Sequence, residues 1–266
     1  MSTAHQATRQ ISFGSLLATV FSSHLRQNIL DRKTLSLAVV MLLPILGAGL
    51  YLAAGGKSGL DTYKGLLEYV TITFLLPLVC LFQGGPAVVD EIEGRTITYL
   101  FLRPVSKPAI FLGKTLAAMV ISIALVLVPV IPVFFLSMAA GSDAGANMQF
   151  LAQSLVSLLV GCCSYTAVFA LLGAVFARSL LAGLLFWAVV EWGLSFIPVL
   201  EMGTQKYHLR NAANVIDLGN FGPLDRMILD HPIEVPIWAS YSALAAITLG
   251  ALALGSYLFH ERQYLV

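Results

Sequence analysis

The sequence predicts an all-α membrane protein. Of its 266 residues, 58% are hydrophobic and only 11% are charged, whereas soluble domains contain roughly 45–50% apolar and about 25% charged residues. Several apolar runs reach the ~20 residues that an α-helix needs to cross the hydrocarbon core. Transmembrane β-strands would instead be short and would alternate in polarity, so the sequence favours helices over a barrel.

Six apolar runs are predicted to span the membrane, and the chain divides accordingly. The predicted spans cover approximately residues 35–54, 66–87, 108–138, 150–177, 179–200 and 237–258. We expect residues 1–34 to form a cytoplasmic N-terminus and residues 35–266 to form a six-helix transmembrane domain.

The N-terminal segment has the pattern of an amphipathic helix. Apolar residues recur there at helical spacing, namely Phe13, Leu16, Leu17, Val20, Phe21 and Leu25. Three bases follow them: Arg26, Arg32 and Lys33. This pattern predicts a helix that lies in the membrane interface. A short soluble helix that rests on the rest of the protein would show the same pattern.

Helix-breaking residues occur in the second and third spans. Pro77 and the segment 84–86 (Gly-Gly-Pro) are expected to loosen span two, while Pro129 and Pro132 are expected to do so in span three. Irregular backbone at membrane depth requires partners from protein or water. We therefore expect these helices to face the protein interior.

The distribution of bases predicts the orientation. With a cytoplasmic N-terminus, ten of the fifteen Lys and Arg residues lie inside: Arg9, Arg26, Arg32, Lys33, Arg95, Arg103, Lys107, Lys114, Arg178 and Arg262. The positive-inside rule then places both termini and segment 88–107 in the cytoplasm of a protein of the cell (inner) membrane. Segment 201–236 becomes extracytoplasmic, and its apolar residues predict a small cap with one or two short helices.

No catalytic or metal-binding motif is found. The stretch "AAGGKSG" at 53–59 lacks the first glycine of a phosphate-binding loop and follows a spanning helix rather than a strand. His208, Asp230 and His231 are candidate metal ligands without a compact ligand spacing, so we predict no metal site. We expect no enzymatic activity, no cofactor and no nucleic-acid partner. Cys80, Cys162 and Cys163 fall within spans and are predicted to be packing residues.

Glu191 is the one acid predicted near the middle of a span. Burying an ionised carboxylate there costs at least about 2.5–3.5 kcal/mol, so it is expected to face the interior, to be protonated, or both. A functional role and a protonated carboxyl that hydrogen-bonds across helices both remain open, since no base lies at matching depth. Glu68 is predicted to lie close to an interface and to reach water.

Segment 88–107 concentrates charge between spans two and three. Gly94 suits the left-handed position after a helix. Thr96 is a candidate cap for a short helix that Pro104 ends, and Ser106 is a candidate cap for span three. The residues expected to contact a partner or to shape the segment are Glu91, Glu93, Gly94, Arg95, Thr96, Tyr99, Arg103 and Pro104. The pattern predicts a short charged helix held between two spans at the cytoplasmic face.

The run "DEIEGRTITYLFLRPVSKPAIFLGK" at residues 90–114 resembles the signature region of type-2 ABC export permeases, except that Arg95 separates Gly94 from Thr96. The resemblance implies an ATP-driven exporter whose coupling helix docks into a separate ATPase subunit, where ATP and Mg would bind. It also implies a second permease chain, identical or different.

Several alternatives to export remain open. Some relatives pass ATPase motion to an extracytoplasmic accessory protein instead of transporting a solute. A gradient-driven transporter or channel is a third hypothesis, although such a protein would need several intramembrane ionisable groups and Glu191 is nearly alone. A structural scaffold would not need the charged segment.

Overall fold

The computed structural model describes residues 13–56, 59–93, 106–139, 145–215 and 235–261, with backbone alone for 88–93, 196, 198 and 199. Within these ranges the chain consists of helices and turns, without strands. The predicted all-α class is confirmed.

The α-helices, numbered in chain order, are α1 (Phe13–Asn28), α2 (Arg32–Val40), α3 (Leu43–Ala53), α4 (Leu60–Gly65), α5 (Leu76–Glu93), α6 (Lys107–Met138), α7 (Met148–Val175), α8 (Ser179–Phe186), α9 (Pro198–Glu201), α10 (Gln205–Ala212) and α11 (Ile237–Glu261). Two π-helical segments interrupt them, π1 (Leu66–Leu75) and π2 (Trp187–Gly193), and a 3₁₀ turn covers Leu194–Phe196.

Five stretches of the described chain are long and apolar enough to cross a membrane: Arg32–Ala53, Leu60–Ala87, Lys107–Met138, Met148–Val175 and Ile237–Glu261. The predicted span 179–200 contains only the shorter apolar helix Ser179–Gly193. At 1.5 Å per residue that helix is roughly 20 Å long, against a hydrocarbon core of about 30 Å. Five spans therefore agree with the prediction, and the count of six is not confirmed.

The core lies where α4, π1, α5, α6 and α7 pack together. Tyr63 is fully buried and meets Phe134 edge to face, with ring centroids 5.1 Å apart. Cys80 and Cys162 are fully buried free thiols in the same core, in agreement with the predicted packing role. Helix α11 packs on α6 and α7, where Gly255 admits the ring of Phe111.

Contacts between helix ends define two ends of the bundle. At the first, the Lys107 end, the Lys107 ammonium donates to the His260 carbonyl at 3.4 Å. At the second, the Ser137 end, the Gly59 N–H donates to the Ser137 carbonyl at 2.8 Å. These pairings match the relative sides assigned from the bases. Which end is cytoplasmic stays a prediction.

The irregular backbone of span two lies before Pro77, in π1. Proline has no N–H to bond the preceding turn, so the helix ahead of it is free to widen. Within π1 the hydroxyls of Thr71 and Thr73 donate to the carbonyls five residues earlier, at 3.3 and 2.8 Å. Helix α5 continues through Pro86, and α6 continues through Pro129 and Pro132. Pro129 is buried as expected, but Pro132 is exposed.

The predicted N-terminal helix is present as α1. It packs along the first part of α6, where a Cβ at Gly113 would come within 3.1 Å of the Leu17 carbonyl and of Val20. Its position relative to a membrane stays a prediction.

Candidate functional site

Glu191 lies in π2 and is 1% exposed. Its carboxylate faces the first turn of α10, a helix within the segment that the sequence assigned to the extracytoplasmic cap. The described first part of the predicted cap, residues 201–215, therefore packs on the bundle and meets the acid of the predicted span.

The N-terminus of α10 is capped twice. Thr204 is the N-cap residue, and its hydroxyl accepts from the Tyr207 N–H at 3.2 Å. Glu191 accepts from the Gln205 N–H at 3.2 Å and from the Lys206 N–H at 3.0 Å, one through each carboxylate oxygen. Anionic groups are stabilised at helix N-termini, where the first N–H groups lack partners. Because both oxygens accept, the geometry fits an ionised carboxylate.

The last turn of α10 carries the second charged contact. The Arg210 guanidinium forms ion pairs with Glu68 and with Glu201, the latter at 3.0 Å. Glu68 lies in π1 and is only 8% exposed, so the expectation that it reaches water is wrong. It is buried because α10 covers it and supplies the opposite charge.

Lys206 corrects the expectation that no base lies near Glu191. Its ammonium donates to the Ser195 hydroxyl at 3.4 Å, and that hydroxyl donates to the Glu191 carbonyl at 2.6 Å. Burial lowers the pKa of Lys206, and the nearby Arg210 charge lowers it further, while Glu201 and Glu191 oppose the shift. We refer to Glu68, Glu191, Glu201, Lys206 and Arg210 as the charged cluster.

Helix α10 is also held by apolar and amide contacts. Leu209 and Ala212 are fully buried, and a Cβ at Gly161 of α7 would come within 2.8 Å of the Leu209 side chain. Gln153 of α7 donates to the Ala212 carbonyl at 3.1 Å, and Asn211 donates to the Ser240 hydroxyl of α11 at 2.9 Å. The helix thus joins α7, α11, π1 and π2 at the Ser137 end.

The charged cluster is built from paired groups. Its carboxylates pair with N–H groups and a guanidinium, so their charge is used to hold helices together. Over the described ranges, no three His, Cys, Asp or Glu residues lie close enough to hold a metal. His208, one of the three candidate ligands, instead lies 3.3 Å from the Ser240 hydroxyl, and burial lowers its pKa. The other two, Asp230 and His231, lie outside the described residues.

Most of the predicted coupling residues lie outside the described residues. Glu91 and Glu93 lie in the last turn of α5, for which the backbone alone is described. The others, Gly94, Arg95, Thr96, Tyr99, Arg103 and Pro104, lie outside the described residues. Ser106 occupies the N-cap of α6 as predicted, with extended backbone but without a side-chain capping bond.

Sequence reasoning missed the partners of the two buried acids. Thr204, Lys206 and Arg210 fall in the segment predicted to form the extracytoplasmic cap, and the sequence predicts no contact between that cap and the two acids. The sequence does carry a local signal for α10. Thr204 is a favourable N-cap residue, and Asn214 is of a type that favours the left-handed position just past a helix. In the structure Asn214 adopts that conformation, with a φ of 54°. Nothing local pairs Arg210 with Glu68, which lies in another predicted span.

Comparison with known proteins identifies the family of the chain. The profile of the ABC-2 family transporter proteins matches residues 30–191. A protein of Pseudomonas aeruginosa named "Probable ABC transporter permease protein NosY" is 26% identical over 278 aligned residues, covering 92% of this chain and 98% of that protein. The chain belongs to the ABC-2 transporter family and is a multi-pass transmembrane permease subunit of an ABC transporter.

Proposed function

We propose that this permease is the membrane subunit of an exporter of the inner membrane, driven by a separate ATPase subunit that binds ATP and Mg. The family match carries the proposal. Residues 88–107 would receive the motion of the ATPase. They connect α5 to α6, two of the helices that build the core.

A continuous path leads from that segment to the charged cluster. Helix α5 runs from Glu93 back to Leu76 and continues directly into π1, which carries Glu68. Glu68 pairs with Arg210 of α10, and α10 is bound in turn to Glu191 of π2. A displacement of α5 at the Lys107 end would therefore move α10 at the Ser137 end. Packed helices transmit such displacements because protein interiors compress little.

The second permease chain would pack on the face formed by π1 and π2. Phe74 of π1 meets Trp187 and Trp192 of π2, with ring centroids 5.8 and 5.6 Å apart. Segment π2 also exposes Val189 to 61% and Trp192 to 43%. Irregular backbone at membrane depth needs protein or water around it rather than lipid. A second chain, with the transport pathway between the two, would supply both.

Paired charges favour an ATP-driven mechanism over an ion-gradient mechanism. A proton- or ion-coupled carrier needs an intramembrane ionisable group that changes its partners. Glu191 instead holds a helix terminus, and Glu68 is paired with Arg210.

Transmission of motion to an extracytoplasmic partner is a second candidate function. The observation that favours it is α10 itself, a helix anchored through the charged cluster at the Ser137 end. Such a helix would serve as a platform whose position follows α5.

Charge reversal in the coupling segment tests the proposed ATPase contact. Glu93→Arg combined with Arg95→Glu should reduce co-purification of the ATPase or uncouple ATP hydrolysis from activity, since truncating a buried interfacial charge pair costs about 2–5 kcal/mol. Gly94→Val should misalign the segment without removing charge. Reversal of the exposed Arg178 is the matched control. Normal partner binding and coupling in both test variants would reduce the segment to a connecting loop.

Cysteine cross-linking tests the proposed dimer face. In a chain without the native cysteines, Val189→Cys should form a disulfide between two permease chains in membranes. Leu249→Cys on α11, which is 67% exposed, is the matched control and should form no disulfide between chains. Cross-linking at Leu249 but not at Val189 would place the interface elsewhere.

A further inference from the structure

An apolar cavity lies between the N-terminal helices and α6. It has a volume of about 350 Å³, within the usual range of small-molecule sites. Leu25 and Ile29 of the α1 end, Met41 after α2, and Leu125 and Pro129 of α6 contribute to its wall. The cavity belongs neither to the charged cluster nor to the proposed dimer face.

The wall of this cavity offers almost no polar recognition. Thr34 is the one polar residue among those that line it, and its hydroxyl accepts from Gln83 at 3.0 Å. Every other lining residue is apolar. The wall therefore suits a hydrocarbon chain rather than a polar solute.

The cavity opens at the exposed surface of the bundle, and its length along α6 is close to the thickness of one leaflet. Leu35 and Val128 line it and are 50% and 67% exposed. Along α6 it runs from Val120 to Pro129, which is about 14 Å at 1.5 Å per residue. The hydrocarbon core is about 30 Å thick, so one leaflet contributes roughly half of that depth.

Basic residues flank the cavity where α1 meets α2. Arg26 lies in the last turn of α1, next to the lining residue Leu25, and Arg32 and Lys33 immediately precede the lining residue Thr34. All three side chains are exposed, and Asp31 is the acid among them. The segment therefore carries a net positive charge beside an apolar cavity. Basic clusters beside membrane helices attract anionic lipid headgroups.

We propose that this cavity binds one acyl chain of an anionic phospholipid, whose phosphate lies against Arg26, Arg32 and Lys33. The bound lipid fills the space between α1–α2 and α6. It thereby ties the N-terminal helix to the helix that follows the coupling segment.

Native mass spectrometry of the full-length permease, released from nanodiscs, tests the site. Nanodiscs of phosphatidylcholine alone are compared with nanodiscs that also contain phosphatidylglycerol. We expect one phosphatidylglycerol to be retained per chain. The Arg26→Gln/Arg32→Gln variant should lose about fivefold in affinity for each base removed. Ala124→Phe, which places a ring in the cavity, should abolish retention of any lipid.

Two matched variants control for general effects of losing a base or of adding an aromatic ring. Arg178→Gln removes another exposed base, and Ala246→Phe adds a ring to an exposed position of α11. Both should retain phosphatidylglycerol like the parent chain. Thermal unfolding of all variants in one detergent identifies any that are merely misfolded, and Ala38→Phe then provides a second way to fill the cavity.

Three results would overturn the proposal. Equal retention of phosphatidylcholine and phosphatidylglycerol would show that the headgroup is not recognised. Unchanged retention in folded Ala124→Phe and Ala38→Phe chains would show that the lipid binds elsewhere. Loss of a permease dimer rather than of lipid in these variants would make a second chain the occupant.

Discussion

Replacing Glu191 by alanine should release the N-terminus of α10. The substitution removes both acceptors of the Gln205 and Lys206 N–H groups, and the Gln205 N–H is buried. A buried donor without a partner costs about 1–3 kcal/mol, so two of them amount to roughly 2–6 kcal/mol. The lower end applies if water reaches the partly buried Lys206 N–H.

Glu191→Gln separates the two protonation states. An ionised carboxylate accepts through both oxygens, whereas the amide keeps one acceptor and turns an NH₂ group toward the other N–H donor. The glutamine variant should therefore lose roughly 1–3 kcal/mol, about half the loss of the alanine variant. A protonated carboxyl would be reproduced by glutamine with no loss.

Thermal unfolding of the purified permease measures both effects. For a chain of this size 1 kcal/mol corresponds to roughly 2–4 °C, so Glu191→Ala should lower the Tm by at least about 4 °C. Glu261→Ala removes an exposed acid at the Lys107 end and should leave the Tm unchanged. An unchanged Tm for Glu191→Ala would refute the capping role, and an unchanged Tm for Glu191→Gln alone would refute the ionised form.

Three further predictions concern the same structure. Arg210→Leu leaves Glu68 buried without its partner and should lower the free energy of unfolding by about 3–5 kcal/mol. Adding Glu68→Leu should recover part of this loss. No recovery would mean that Glu68 and Arg210 are not energetically coupled. Burial lowers the folded-state pKa of His208. The stability contributed by its neutral imidazole is therefore complete above pH 6.5 and is lost as pH falls through the folded-state pKa. An acid-induced fall in Tm that persists unchanged in His208→Asn would contradict this. Single cysteines at Ser106 and Gly219, in a chain without native thiols, should react with an impermeant reagent from opposite sides of the membrane, and labelling of both from outside intact cells would overturn the topology.

The sequence by itself determined the class of this protein, most of its spans and its family. Hydropathy and length are local properties, so the runs around residues 108–138 and 150–177 predicted α6 and α7 closely. The residues 90–114 were sufficient to indicate the type-2 ABC permeases. The sequence placed the breaks in span two less well, since a proline marks where a helix is weakened but not whether the turn before it kinks or widens.

Only the tertiary structure decided the roles of the buried charges. From the sequence Glu68 is expected to reach water and Glu191 to be isolated, because their partners Arg210 and Lys206 belong to the predicted extracytoplasmic cap, far along the chain from both acids. Whether a carboxylate can remain ionised depends on which donors surround it in space, and α10 brings those donors from far along the chain. Hydropathy sums the cost of burying a group residue by residue, whereas the contacts that offset this cost exist only once the helices have packed.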